Sequence, residues 1–225
     1  MNVNSDLGEG AGHDEEILRL IDSANVCCGA HAGSVTESIL TARRCSELGV
    51  EVGAHPGYDD RANFGRLEVE LSADQLEALI RFQVGALAAV APLGYIKPHG
   101  ALYHHCQADQ EGAERLARVA ADYGVGVMGQ PGFGILAACR KLGVKCYREA
   151  FADRAYLPDG RLAPRSEPGS VLEPEQAGEQ ALRLVRSGEY DTICLHGDSP
   201  GAPATAARIR EALEAAGIQT APLAR

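Results

Sequence analysis

Polar side chains with catalytic potential follow the short β-rich segments of this chain. Six of the seven histidines lie directly after such a segment or in the loop behind it. Imidazoles act as general acids and bases, carboxylates orient them or bind divalent cations, and ammonium groups bind anions. The polar residues at these positions are Asn4, Asp6, Asn25, Cys28, His31, His55, Lys97, His99, Glu149, Asp153, His196 and Asp198. Because the carboxyl ends of parallel strands form the ligand-binding face of α/β folds, these positions predict a catalytic or binding mouth.

The elements that would position these residues alternate between short strands and longer helices along the whole chain. Strands are predicted at residues 3–5, 23–28, 50–54, 95–97, 125–128, 144–147 and 192–195. Helical patterns cover residues 15–20, 35–48, 73–90, 112–123, 135–142, 175–187 and 203–215. This alternation predicts βα units around a parallel sheet, within one domain of residues 1–225.

One long irregular segment interrupts the alternation at residues 151–171. It contains Pro158, Pro164 and Pro168, which argue against a helix, and it is too long for an ordinary connection between elements. Because the strand and helix pattern resumes unchanged after it, we interpret the segment as a functional loop rather than as a domain linker.

Composition and charge argue against several classes of function. Lys and Arg number 21 against 31 Asp and Glu, and the formal net charge of −10 argues against binding to nucleic acid or to an anionic membrane. Apolar runs such as residues 84–93 are shorter than the roughly 20 residues of a membrane span, and the first residues lack a signal-peptide pattern. The seven cysteines include no Cys-x-x-Cys pair. We therefore expect a cytoplasmic protein with reduced, mostly buried thiols.

Six segments of the chain, read together, resemble the LamB/YcsF family. They are NSDLGE at residues 4–9, SANVCCGAHAG at 23–33, GAHPGY at 53–58, KPHGALY at 97–103, FADRAY at 151–156 and HGD at 196–198. The match runs in order from residue 2 to about residue 215. This resemblance implies a distorted (β/α)7 TIM-like barrel, similar to the glycoside hydrolase/deacetylase superfamily. Ala30 and Ser34 depart from the residues usual in the family, and we expect them to alter the wall of the pocket.

The resemblance also implies an activity, the ATP-dependent opening of 5-oxoproline to L-glutamate together with B and C partner subunits. ATP with Mg²⁺ is the expected cofactor, since phosphorylating the carbonyl oxygen would turn an unreactive lactam into one that water can attack. The chain contains no Walker A pattern. An ATP site here would therefore be unconventional or completed by one of the partners. The sequence leaves open whether the chain forms a homo-oligomer.

Within that activity, residues at the predicted mouth take different roles. His55, His99 and His196 are candidate general acids and bases, which Asp6 and Asp198 would orient unless they hold Mg²⁺. Lys97 would pair with a phosphate or a carboxylate. Arg165 would pair with a surface acid or, like Arg154, bind the substrate carboxylate. The residues expected to contact substrate are Asn4, Asn25, His31, Tyr103, Asp153 and Arg154.

Two other functions are open at this stage. Asp6, His31 and His55 have the residue types of a divalent-metal site, which would suit an amide hydrolase or deacetylase that acts without ATP, as the related deacetylases do. However, 24 residues separate the two histidines, so their spacing gives no local chelate. The second alternative is a non-catalytic protein that binds a small ligand and presents it to a partner.

Overall fold

The computed structural model describes residues 1–223 and consists of a closed barrel of seven parallel strands, surrounded by helices. The strands follow one another around the barrel in chain order, and β1 closes it by pairing with β7. They are β1 Asn2–Leu7, β2 Ser23–Cys27, β3 Glu51–His55, β4 Tyr95–Ile96, β5 Gly126–Gly129, β6 Cys146–Phe151 and β7 Thr192–His196. All seven predicted strands are present, with shifted ends. The parallel βα units predicted from the alternation and the seven-stranded barrel implied by the family resemblance are both confirmed.

Eight α-helices within residues 1–223 connect the strands. They are α1 Asp14–Ile17, α2 Val35–Leu48, α3 Ala73–Ala88, α4 Gly100–Ala108, α5 Gln110–Tyr123, α6 Gly134–Leu142, α7 Pro174–Ser187 and α8 Ala202–Ala215. The sequence predicted seven of them and missed α4, which begins directly after the loop that follows β4. Only Asp109 separates α4 from α5, and its side chain accepts the Gly112 amide and so caps α5. None of the described helices is long and apolar enough to cross a membrane.

Polar side chains fill one side of the barrel interior. Asn2, Asn4 and Asp6 alternate along β1, so they share the inward face of this strand. Asn4 donates to Thr192 Oγ1 of β7 at 2.6 Å, and Asn25 Nδ2 of β2 donates to Asn4 Oδ1 and to Asp6 Oδ1, both at 2.7 Å. These bonds satisfy buried amides and lead from the base of the barrel to Asp6.

Two large rings fill the other side of the interior. Tyr95 of β4 and Tyr147 of β6 pack edge to face, with ring centroids 6.4 Å apart. Glycines make room for them, since a Cβ atom at Gly53 would lie 2.0 Å from the Tyr95 ring and one at Gly126 would lie 2.6 Å from the Tyr147 ring. Side chains therefore fill the interior of the barrel below its mouth.

The irregular segment after β6 folds over the mouth of the barrel. Two isolated antiparallel bridges, Arg154 with Val171 and Tyr156 with Leu162, hold it in place. Leu157, Leu162 and Pro164 from this segment line the cavity described below. Its position matches the interpretation as a loop that belongs to the site.

Candidate active site

A cavity of about 710 Å³ opens at the carboxyl ends of the strands. Asp6 of β1, His55 of β3 and His196 of β7 line it, together with Lys97 and His99, which follow β4. The strand ends thus bring together five of the six residues predicted to be catalytic, as expected for a parallel barrel.

A buried charge cluster forms the floor of this cavity. Lys97 Nζ lies 2.9 Å from Asp6 Oδ1, 3.0 Å from Glu149 Oε1 and 2.9 Å from Cys194 Sγ. Burial alone would lower the pKa of Lys97, but the charge of Asp6 and the neighbouring acidic groups outweigh it and raise the pKa well above its ordinary value. Lys97 therefore carries a fixed positive charge beneath the cavity.

The pKa values of the two carboxyl groups beside Lys97 are shifted in opposite directions. Burial raises the pKa of Asp6, but His55 and Lys97 outweigh this effect and hold it well below the ordinary value. Burial dominates at Glu149 and raises its pKa in spite of Lys97. The floor therefore holds two carboxyl groups whose pKa values are shifted in opposite directions around one ammonium group.

A second cluster, which we call the Glu9 cluster, consists of Glu9, His31, His55 and His99 and is buried in one wall of the cavity. Glu9 Oε1 lies 3.1 Å from His31 Nε2, 3.2 Å from His99 Nδ1 and 3.8 Å from His55 Nε2. Burial raises the pKa of Glu9, but the hydrogen bond from His31 and the contact with His99 outweigh it and leave the pKa well below its ordinary value. Glu9 is therefore an ionised carboxylate among three imidazoles.

Backbone carbonyl groups fix the orientation of two of these imidazoles. His55 Nδ1 lies 2.7 Å from the carbonyl oxygen of Lys97, and His99 Nε2 lies 2.9 Å from that of Phe64. Since a carbonyl only accepts, each of these nitrogens carries a proton. Phe64 adopts φ 58° and is the one non-glycine residue with positive φ in residues 1–223, so the backbone is strained where its carbonyl meets His99.

His31 lies behind the cavity wall and is fully buried. Its ring stacks on that of His99 with centroids 3.9 Å apart and an interplanar angle of 6°. Its Nδ1 atom has no hydrogen-bond partner among the described residues and packs against Gly57, where a Cβ atom would lie 2.4 Å away. Among the side-chain contacts within residues 1–223, its ring therefore bonds to Glu9 through Nε2.

His196 and Asp153 form a separate pair on the opposite side of the mouth. His196 Nδ1 lies 3.0 Å from Asp153 Oδ2, and the backbone amide of His196 donates to the same oxygen at 2.9 Å. Phe151 stacks on the His196 ring with centroids 5.5 Å apart. Because Nδ1 donates to a carboxylate, the Nε2 atom of His196 remains available to the cavity as a proton acceptor.

Arginines surround the rim of the cavity. Arg165 Nη1 lies 3.0 Å from Asp198 Oδ2, and Arg66 donates to the same oxygen. Arg154 donates to the carbonyl oxygens of Ala163 at 2.5 Å and Ser170 at 3.1 Å. Burial and the neighbouring Arg165 lower the pKa of Arg154. Through its two hydrogen bonds the side chain holds its own loop, and it also lines the cavity.

The remaining sequence-predicted residues lie in three different surroundings. Tyr103 lines the cavity with a buried hydroxyl that has no partner among the described residues. Asn4 and Asn25 lie below the cavity in the barrel interior, where Asn25 supports Asp6. Asp198 pairs with the rim arginines, and Asp153 is the carboxylate that contacts His196.

Two residues that were expected from the sequence to alter the pocket wall lie elsewhere in the structure. Ala30 and Ser34 are not among the described residues that line the cavity, and the Ser34 hydroxyl caps α2 by accepting the Glu37 amide. Glu149 was among the polar residues predicted to lie at the mouth but was given no role, and Glu9 was not singled out, although it ends the NSDLGE segment. The sequence signal for both was their position at or near the end of a strand.

The Glu9 cluster has the chemical composition of a divalent-metal site. One ligand atom from each of its four residues lies within 4.8 Å of the others, and all four residues are buried. Imidazole nitrogen and carboxylate oxygen are the donors that zinc, manganese, iron and cobalt accept. The cluster could therefore bind a metal. Of the three residues that the sequence suggested as metal ligands, the cluster contains His31 and His55 but not Asp6, whose Oδ2 atom lies 3.5 Å from His55 Nε2. Glu9 and His99 are its other two members.

Known proteins resemble this chain over its whole length. The family model described as LamB/YcsF family matches residues 1–225. The A subunit of 5-oxoprolinase from Thermus thermophilus is 43% identical over 244 residues, which cover 97% of this chain and 98% of that protein. The A subunit of 5-oxoprolinase from Neisseria meningitidis is 41% identical over 239 residues, with the same coverage.

Among solved structures, one resembles this chain in both sequence and fold, and another resembles it in fold. A lactam utilization protein from Thermus thermophilus superimposes with a TM-score of 0.92 at 40% identity and covers 99% of both chains. A structure titled T48 deacetylase with substrate superimposes with a TM-score of 0.57 at 13% identity and covers 97% of this chain and 85% of that one. The second likeness concerns the fold alone.

Proposed function

Because this chain belongs to the LamB/YcsF family, we propose that it is the A subunit of a 5-oxoprolinase. The complex would open the lactam ring of 5-oxo-L-proline, consuming ATP and two water molecules and releasing L-glutamate, ADP and phosphate. The observation that carries the proposal is a single cavity with a cationic floor, two independent imidazole systems in its walls and arginines at its rim. These groups could supply the base, the acid and the cations that ATP-dependent lactam opening needs.

The substrate carries one carboxylate and one cyclic amide. The guanidinium groups of Arg66 and Arg165 suit the carboxylate, because planar donor pairs match its geometry. Both now pair with Asp198, so an incoming carboxylate would compete with that side chain for the same donors. With the carboxylate at the rim, the ring would point toward the floor of the cavity.

The acid and base steps fall to the groups around the cavity. His196, oriented by Asp153, would take a proton from the attacking water through Nε2 and return a proton to the ring nitrogen as the C–N bond breaks. Lys97 would stabilise the negative charge of the phosphoryl group carried by the carbonyl oxygen. Asp6 and Glu149 keep that ammonium group in place.

ATP gives the lactam the reactivity that an amide lacks. Transfer of the γ-phosphoryl group to the carbonyl oxygen makes the ring carbon electrophilic toward the first water. After the C–N bond breaks, the second water would hydrolyse the resulting acyl phosphate and release phosphate. The rim arginines would bind the added phosphoryl group as readily as a carboxylate. We assign the nucleotide itself to the assembled complex with the B and C subunits, since the chain has no Walker A pattern.

The test is glutamate release from 5-oxoproline by the purified chain and by the chain co-expressed with the B and C subunits of its own genome, each with and without ATP. We expect ATP-dependent glutamate from the complex alone. His55→Ala, His99→Ala and His196→Gln complexes should lose turnover, while the matched control His13→Gln, at the start of α1, should retain it.

The other outcomes separate the alternatives. Glutamate formed by the chain alone without ATP would favour an ATP-independent amide hydrolase, and the Glu9 cluster gives that second candidate a specific basis. Full turnover in all three histidine variants would favour a chain that only presents a ligand to its partners. A folded complex that releases no glutamate would refute the proposed substrate.

A further inference from the structure

The Glu9 cluster brings together several atoms that accept hydrogen bonds and too few protons to satisfy them. His55 Nε2 and His99 Nδ1 lie 3.0 Å apart and face each other. Glu9 Oε1 lies 3.2 Å from the second of these nitrogens, and Asp6 Oδ2 lies 3.5 Å from the first. All four residues are buried. Buried acceptors at such distances repel one another unless a cation lies between them.

The carbonyl contacts decide which imidazole atoms are acceptors. The protons of His55 and His99 are on Nδ1 and Nε2, where the Lys97 and Phe64 carbonyl oxygens accept them. In the neutral rings, the two facing nitrogens are therefore lone pairs. A histidine that binds a metal through one nitrogen usually donates the other N–H to a carbonyl or carboxylate, and both rings have this arrangement.

We infer that Glu9, His55 and His99 bind one divalent transition-metal ion in the wall of the cavity. Bonds of about 2.0 Å from a tetrahedral zinc ion place neighbouring ligand atoms about 3.3 Å apart. The three distances among Glu9 Oε1, His99 Nδ1 and His55 Nε2 are 3.0, 3.2 and 3.8 Å. The spacing thus suits a small ion without rearrangement of the backbone.

His31 is a positioning residue for this site. Its Nδ1 atom has no partner among residues 1–223, and an unpartnered N–H in a buried position would cost more than an unpartnered lone pair. The proton therefore belongs on Nε2, which donates to Glu9 Oε1 at 3.1 Å. Its ring is also parallel to that of His99, so the in-plane lone pairs of the two rings do not converge on one point.

The site has the open side of a catalytic rather than a structural metal centre. His55, His99 and Asp6 line the cavity, so a fourth position would face it. A divalent ion there supplies Lewis acidity toward a carbonyl or phosphoryl oxygen. Two imidazoles and one carboxylate, with no thiolate, favour zinc, manganese, iron or cobalt over calcium or magnesium.

The first experiment measures metal uptake by the native chain. The purified protein is stripped with a chelator, equilibrated with Zn²⁺, freed of excess metal and measured for metal per chain by mass spectrometry. We expect about one equivalent and a higher melting temperature, because an ion that binds only the folded state stabilises it. Co²⁺ in place of Zn²⁺ should give visible d–d absorption, which reports bound ligands independently of activity.

Variants locate the ion. Glu9→Gln and His55→Ala should each lose the uptake and the cobalt absorption, and His13→Gln, outside the cluster, should keep both. His31→Ala should still bind one ion, with affinity weakened roughly 10- to 100-fold, as is typical when a residue that holds a ligand is removed. His31→Gln keeps an N–H donor and should restore much of the loss.

Two results would overturn the inference. If the native chain takes up far less than one equivalent and shows no cobalt absorption, the two facing imidazoles share a proton and no metal is bound. If Glu9→Gln and His55→Ala take up as much metal as the native chain, the ion binds elsewhere. Complete loss of binding in His31→Gln would make His31 a ligand. None of these readouts depends on the identity of the substrate.

Discussion

At the scale of single residues, each catalytic candidate depends on the neighbour that fixes its proton. The His196 ring is held by Asp153, which accepts both its Nδ1 proton and its backbone amide. Asp198 follows His196 closely in sequence and was the expected partner, but it turns to Arg66 and Arg165 instead. Pairing of β6 with β7 brings Asp153 to His196, which residue spacing within either strand does not reveal.

This pair gives the first prediction. Asp153→Asn removes the charge that stabilises a protonated His196, so we expect kcat for glutamate formation by the complex to fall by about 10²-fold or more. KM for 5-oxoproline should change little, because Asp153 is not among the described residues that line the cavity. Steady-state kinetics checks this split. A variant that raises KM with kcat intact would place Asp153 in substrate binding.

The buried charge cluster around Lys97, in the floor of the cavity, gives a prediction for the stability of the fold. Lys97→Met leaves Asp6 without its cationic partner in a buried position, and we expect the free energy of unfolding in urea to fall by about 3–5 kcal/mol. The control is Lys141→Met, which removes an ion pair with Glu114 on the surface and should cost less than about 1 kcal/mol. Equal losses in the two variants would show that Lys97 is not a stabilising charge.

At the scale of secondary structure elements, small residues in the strands set the shape of the interior. Gly53 of β3 lies directly beneath the Tyr95 ring of β4. We predict that Gly53→Ala lowers the free energy of unfolding by about 1–3 kcal/mol, since the added methyl group must displace a packed ring. Gly201→Ala is the matched control, because nothing lies within 4 Å of its Cβ position. Thermal unfolding of both variants and of the native chain measures the two changes in stability.

Asp191, which directly precedes β7, gives a prediction for how the stability of the fold depends on pH. Burial alone would raise the pKa of Asp191, but its hydrogen bonds with the side chain and backbone amide of Arg148 outweigh this and lower it. A lowered carboxyl pKa contributes stability above the unfolded pKa of about 3.9, and the contribution disappears as the pH falls through the folded value.

Asp191→Asn should therefore be less stable than the native chain at pH 7, and the difference should shrink below about pH 4. Urea unfolding at a series of pH values measures it. Glu189→Gln, on an exposed neighbour in the same loop, should show no comparable trend. A constant difference between Asp191→Asn and the native chain down to low pH would contradict the assigned role of the carboxylate.

Elements with a clear periodicity could be predicted from the sequence, and contacts between elements could not. Helix α2 was predicted with its observed ends, because a serine begins it and Gly49 ends it in the left-handed conformation. The facing nitrogens of His55 and His99 depend on two carbonyl groups, of Lys97 and Phe64, that only the folded chain brings into place. Glu9 likewise becomes a site residue only because the chain folds back over His31.

At the scale of the whole molecule, the two ends of the barrel hold different groups of side chains. The carboxyl ends of the strands hold the cavity, the charged clusters and the irregular loop. Amides and hydroxyls link β1, β2 and β7 below it, and Asn2 Nδ2 donates there to the carbonyl oxygen of Ala221 at 3.0 Å. The candidate catalytic groups therefore lie at one end of the barrel, and the network of amides and hydroxyls lies toward the other.

The contact between the first and last parts of the described chain also makes the fold suitable for circular permutation. The backbone amide of Ala221 donates to the carbonyl oxygen of Met1 at 2.9 Å, on the side of the barrel away from the cavity. A short peptide could join residues 1 and 221 there, and the chain could be opened at residues 188–190, between α7 and β7 on that same side. In such a permutant, β7 would become the first strand while every strand kept its neighbours.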